Sequence, residues 1–169
     1  MKKLFCGLIC IVLTVSLYGC EKKASSLSLD NLYSVNAIAE ENDFESEMSL
    51  TRLGNDAWDV TFTSPDTIKD MNITYEGENT KITYMGLETT VPKQQLEYTS
   101  SCQCITSVLD NFAKGKDIEF TKDGDKTFAK GKIGEDEYKL IFESKSKSLI
   151  GLECDDLEVT FSDYKKVQA

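Results

Sequence analysis

The chain has 169 residues, a formal net charge of −10 and no histidine. Such an acidic chain is repelled by phosphate backbones and anionic head groups, which argues against nucleic acid as a partner. The missing imidazole removes the Ser-His-Asp triad, the Cys-His dyad and the commonest general base together.

Lys2 and Lys3 precede an apolar run from Leu4 to Leu17, which closes on Gly19 and Cys20. This is the layout of a secretory signal peptide, too short and wrongly flanked for a spanning helix. Leu17-Tyr18-Gly19-Cys20 resembles a bacterial lipobox. The resemblance implies that residues 1–19 are removed and that Cys20 is acylated and becomes the first residue. An ordinary cleaved signal ending in cysteine is the alternative. Cleavage there removes two lysines and no acid, so the mature chain is more negative still. Several acyl chains hold a protein stably where one holds it marginally, so the expected place is the extracytoplasmic face of the bacterial cell membrane. No later apolar run approaches the ~20 residues of a span.

Residues 20–30 combine the lipidated cysteine with a polar, serine-rich spacer. Residues 31–169 are long enough for one domain with a real core. Period-2 alternation dominates them, which is the strand signal. Phe44, Met48 and Leu50 fall on one face, with Glu45, Glu47 and Ser49 on the other. Gly54-Asn55 reads as a hairpin turn into Trp58, Val60 and Phe62. Pro65 interrupts, then Met71, Ile73 and Tyr75 share a face, and Glu76 to Asn79 turn into a strand over 81–85. One polar face per strand predicts an antiparallel sheet with one side wet and the other covered.

The covering element is a helix. Pro92 can open a helical turn, and Lys93 to Glu97 is helix-compatible. Cys102, Ile105, Val108, Leu109 and Phe112 recur near the 3.6 period, which sets Ser107, Asp110, Asn111 and Lys114 facing away. Ser100 or Ser101 serves as cap and Gly115 as stop. A second strand block runs from Ile118, with turns at Asp123-Gly124 and Glu135-Asp136, and ends on Leu157, Val159 and Phe161.

Three cysteines remain in the domain: Cys102, Cys104 and Cys154. An exported domain can hold a disulfide between Cys154 and either of the other two, or all three can be buried, unreactive thiols. A zinc site lacks a fourth ligand, and no metal or cofactor is expected. Adjacent acids such as Asp155-Asp156 point to opposite faces of a strand, so no ready carboxylate pair exists and no catalytic residue is assigned.

Trp58-Asp59-Val60-Thr61-Phe62 with Ser64-Pro65, Met71 to Gly77, Ile82 to Leu87 and Leu157 to Phe161 resemble stretches of small lipoproteins of Gram-positive anaerobes. The arrangement looks like the half-barrel of the lipoprotein carriers (the LolA-like fold). That resemblance implies an α+β domain in which a single curved antiparallel sheet carries one main helix on its concave face. No binding motif carries over residue by residue. The expected function is a membrane-anchored, non-catalytic module that binds a lipid or other hydrophobic ligand. Its candidate contacts are Trp58, Phe62, Met71, Ile73, Tyr84, Ile105, Leu109 and Phe112. The alternative is a closed-core interaction or scaffold domain that meets envelope or secreted protein partners. The two differ in whether the opposing faces touch, which a sequence does not specify.

Overall fold

The computed structural model describes residues 27–93 and 101–167. The signal segment, Cys20, most of the spacer, Gln94 to Glu97 and Ser100 lie outside the described residues.

Eleven strands form one antiparallel sheet. The first six are β1 (Tyr33–Glu41), β2 (Phe44–Gly54), β3 (Ala57–Ser64), β4 (Asn72–Glu76), β5 (Asn79–Tyr84) and β6 (Leu87–Pro92). A helix, α1 (Ser101–Lys114), precedes β7 (Glu119–Asp123), β8 (Lys126–Ile133), β9 (Asp136–Glu143), β10 (Leu149–Cys154) and β11 (Leu157–Lys166). The spatial order is β6-β5-β4-β3-β2-β1-β11-β10-β9-β8-β7. Each half is therefore a meander of hairpins, and the two halves join where the first strand pairs with the last. The curved, open sheet with the one helix among the described residues is an α+β half-barrel, as expected from the sequence.

Alternation builds the core. Tyr33, Val35, Ala37 and Ala39 of β1 turn inward, as do Met48 and Leu50, Trp58, Val60 and Phe62, Tyr138, Leu140 and Phe142, and Leu157, Val159 and Phe161. The helix contributes Cys102, Ile105, Val108, Leu109 and Phe112, the stripe read from its spacing. Each such large apolar side chain contributes about 1.5–3 kcal/mol on burial, so the stripe fixes the helix on the sheet. Gly115, at φ +67°, ends the helix in the left-handed conformation that suits glycine.

Four local readings need correction. Asp110 does not face away from the sheet; it is buried at 4 % exposure. Phe44 shares the inward parity of β2 but lies at its end and is half exposed, while Ser46 and Arg52 occupy inward positions instead. Pro92 does not open a helix. It closes β6, an edge strand that pairs with β5 from Tyr84↔Leu87 to Asn79↔Pro92, because an edge position tolerates a residue with no N–H to donate. The sheet begins a strand earlier than the Phe44 alternation suggests, at β1.

Candidate functional site

Six of the eight candidate ligand contacts are spent on the core. Ile105 and Leu109 are wholly buried, and Trp58, Phe62, Ile73 and Phe112 are nearly so. Met71 and Tyr84 are half-buried. Met71 packs against the core, and the Tyr84 hydroxyl donates to the Thr67 carbonyl at 2.7 Å. A cleft of about 450 Å³ lies elsewhere, bounded by Gly131, Tyr138, Cys154 and a ring of charged side chains from Asp117 to Asp155. None of the eight candidates lines it.

The helix is held by a polar cluster in the middle of this apolar seam. Arg52 Nε donates to Asp110 Oδ1 at 3.0 Å and Arg52 Nη2 lies 2.9 Å from the same oxygen. Trp58 Nε1 donates to Asp110 Oδ2 at 2.9 Å. The guanidinium also donates to the Asp30 carbonyl and the Asn55 side chain. Both carboxylate oxygens and three guanidinium nitrogens thereby have partners, which is the condition under which a buried ion pair is tolerated. Aromatic rings surround it. Tyr33 meets Trp58 edge-on at 5.7 Å and stacks on Tyr164 at 4.8 Å. The Tyr164 hydroxyl donates to Asp30 Oδ2 at 3.0 Å. Burial pushes the Tyr164 phenol up to about 12 and the Tyr33 phenol further. The Tyr33 hydroxyl is buried with no hydrogen-bond partner among the described residues.

The three thiols occupy two different places. Cys102 Sγ lies 3.2 Å from the Tyr75 hydroxyl. Cys104 Sγ lies 3.4 Å from Cys154 Sγ, across the seam between α1 and β10. Burial raises both members of this pair, and the sulfur–sulfur hydrogen bond raises Cys104 further while lowering Cys154.

Sequence reasoning missed Arg52 and β6. A lone arginine in a β2 pattern otherwise read to Leu50 was the available signal for the first. The most exposed large apolar residues among those described are Met85 and Leu87, at 84 % and 76 % exposure, on the tight turn and first residue of β6. Met85 itself adopts a positive φ of 51° beside Gly86 at 78°, the pairing a two-residue hairpin of this hand requires. Across the sheet surface, Lys81–Glu88 and Lys132–Glu137 pair at 2.7 and 2.8 Å in the open. No group of three or more metal-ligating side chains comes together among the described residues, and none of their helices is long and apolar enough to cross a membrane.

No family model matches the chain, and no curated protein matches it in sequence. Solved structures resemble it in shape. An uncharacterized conserved protein from Thermus thermophilus superposes with a TM-score of 0.51 at 9 % identity, covering 83 % of this chain and 82 % of that one. A LolA superfamily protein from Nitrosomonas europaea gives 0.46 at 10 % identity over 85 % and 90 %. A chain of the Clostridioides difficile CwlD amidase complex with the GerS lipoprotein gives 0.49 at 12 % over 99 % and 95 %. At these identities the likeness is one of fold, and the fold shared with the Thermus protein agrees with the half-barrel described above.

Proposed function

We propose that the chain is a non-catalytic binding module, tethered to the extracytoplasmic face of a bacterial membrane by acylated Cys20, which engages a protein partner through the edge of its sheet at β6. The observation that carries this reading is that six of the eight candidate ligand contacts, three on the sheet and three on α1, are buried within the fold. Apolar surface that an enclosed cargo would need is already used within the fold.

The two ends of the sheet differ in a way that supports β6 as the contact. Strand β7 carries Glu119, Lys122 and Asp123 in five residues, the charge density that protects an edge from pairing. Strand β6 carries one charge, Glu88, already paired with Lys81, and it follows the exposed Met85 and begins at the exposed Leu87. An extended segment of a partner would add to such an edge by main-chain hydrogen bonds, with the two apolar side chains giving selectivity. The absence of histidine supports the non-catalytic part of the reading.

The test is site-specific photo-crosslinking in cells that carry the full chain. A crosslinker at Leu87 is expected to give one discrete adduct, one at Thr121 in β7 none, and Thr90→Pro, which removes an N–H on the side of β6 away from β5, to abolish the first. Equal labelling at both edges would discard the edge assignment. The tether is tested apart from this, since Cys20→Ser should leave the membrane fraction or remain uncut.

A second reading rests on the half-buried Met71, Ile82 and Tyr84, the first two packed against the core that holds Phe62 and Ile73. There a lipid or other hydrophobic ligand would bind at the open end of β4 and β5. Native mass spectrometry on the full chain separates the readings. About one lipid per chain, retained by Thr90→Pro and lost by Met71→Glu, favours the second.

A further inference from the structure

We propose that Cys104 and Cys154 are a disulfide-forming pair that covalently staples α1 to β10, with Cys102 excluded from it. Their sulfurs are already in van der Waals contact at 3.4 Å, and a disulfide needs them at about 2.05 Å, a closure within reach of side-chain rotation. The helix is fixed independently by the Arg52–Asp110 pair and its apolar stripe, and β10 by its pairing with β9 and β11, so little ordering remains to be done.

The helix itself decides which thiol takes part. Residues two apart on a helix point to nearly opposite sides, about 200° around the axis. Cys104 therefore meets β10, while Cys102 turns to β4 and sits against the Tyr75 hydroxyl. Of the two cysteines that a sequence could pair with Cys154, the fold selects one.

Access comes from the cleft bounded by Gly131, Tyr138 and Cys154, which opens the buried pair to solvent from the Cys154 side. Because Cys104 S–H donates to Cys154, negative charge is better held on Cys154. Oxidation then proceeds by exchange with a small disulfide. The Cys154 thiolate attacks one sulfur of the oxidant, forming a mixed disulfide and releasing the other sulfur as a thiolate. Cys104, having lost its proton to solvent, attacks Cys154 Sγ and displaces the second oxidant thiolate. Two protein thiols are oxidised and one oxidant disulfide is reduced to two thiols. In cells this rests on the proposed export, since such oxidants persist outside the cytoplasm; the pairing itself does not.

The experiment therefore uses the purified full chain, reduced and then equilibrated with oxidised and reduced glutathione. Alkylation and peptide mapping follow. The expected result is the loss of two alkylatable thiols per chain and a single cross-linked peptide pair that contains Cys104 and Cys154. Cys104→Ser should instead trap a glutathione adduct on Cys154, whereas Cys154→Ser should leave Cys104 unmodified. A cross-link that contains Cys102, or Cys104 and Cys154 both recovered as alkylated thiols, would overturn the proposal. Fractionation of the cells reports on export separately, so a failed tether and a failed pairing give different results.

Discussion

Arg52 and Asp110 stand 58 positions apart in the chain and 2.9 Å apart in the fold, each almost completely withdrawn from water. One belongs to a strand and the other to the helix that covers it, so the pair specifies where along the sheet the helix comes to rest. An apolar stripe could slide by a turn at modest cost. A charged pair with one matching site cannot.

Asp110→Ala leaves the Arg52 guanidinium buried without its counter-ion and should cost about 3–5 kcal/mol in urea denaturation. Arg52→Met should cost a similar amount by stranding the carboxylate. The double variant Arg52→Met with Asp110→Leu is expected to recover most of that loss. Its shortfall of about 1–3 kcal/mol reflects the Trp58 N–H left without an acceptor. Single losses that simply add in the double variant would contradict a shared site.

Leu109 reports on how tightly the helix closes the concave face. It has no exposed surface, so Leu109→Ala should lower stability by about 2–5 kcal/mol through lost burial and a residual cavity. Leu109→Trp overpacks the same site at about 1–3 kcal/mol. Both effects are read from the melting or urea midpoint, and neither should reduce crosslinking from Leu87. A Leu109→Trp variant with unchanged stability would mean that the seam holds an unfilled space.

Gly131 and Tyr138 are cross-strand partners, and the tyrosine ring lies over the glycine with its hydroxyl donating to Asn111 at 2.8 Å. A Cβ at position 131 would come within 2.9 Å of Tyr138 Cε1 and closer still to the outer ring atoms. Gly131→Ala should therefore displace the ring and cost about 1–3 kcal/mol. Combining it with Tyr138→Ala should be strongly non-additive, since the second change removes the obstacle. Denaturation of the four-member cycle checks this.

The buried phenols set the alkaline limit. Tyr138 and Tyr164 are pushed up to about 12 by burial, and Tyr33 higher by burial and by its neighbour Tyr164. A phenol whose folded value exceeds its unfolded value near 10 keeps its proton longer when folded. Its contribution to stability is complete below pH 10 and is lost as pH rises toward 12. Tyrosinate absorbance should thus show Tyr33, Tyr138 and Tyr164 ionising in a cooperative step that coincides with loss of the folded circular-dichroism signal. Ionisation of Tyr33, Tyr138 and Tyr164 near the ordinary phenol value, with the fold intact, would contradict the burial of these rings.

Much of the architecture was legible because period-2 alternation and the 3.6-residue stripe are strong local signals. Trp58, Val60 and Phe62 and the Cys102-to-Phe112 stripe stand where spacing puts them, while the turn read at Gly54-Asn55 falls one residue later, at Asn55-Asp56 between β2 and β3. What escaped was set by distant partners. Asp110 is polar and falls beside the stripe, so periodicity turned it outward; only Arg52 and Trp58, brought in from the sheet, make its burial tolerable. Strand β6 is polar along most of its length because it has little core to cover, which leaves alternation nothing to register. The choice of Cys104 over Cys102 likewise depends on which side of the helix faces β10, a tertiary fact.

The pairing of β1 with β11, from Tyr33↔Lys166 to Glu41↔Leu157, carries one more consequence. Within each half, neighbouring strands follow one another in the chain, so each meander can assemble locally and early. The seam between them cannot close until the last strand has emerged from the ribosome or translocation channel. Contacts of such long sequence separation are slow to form, because loop closure precedes any gain from pairing. Until then β1 presents an unoccupied side to its surroundings. The arrival of β11, rather than the growth of any one hairpin, is what commits this chain to its native state, and a truncation before Leu157 should leave β1 unpaired on that side, with α1 the remaining bridge between the two half-sheets.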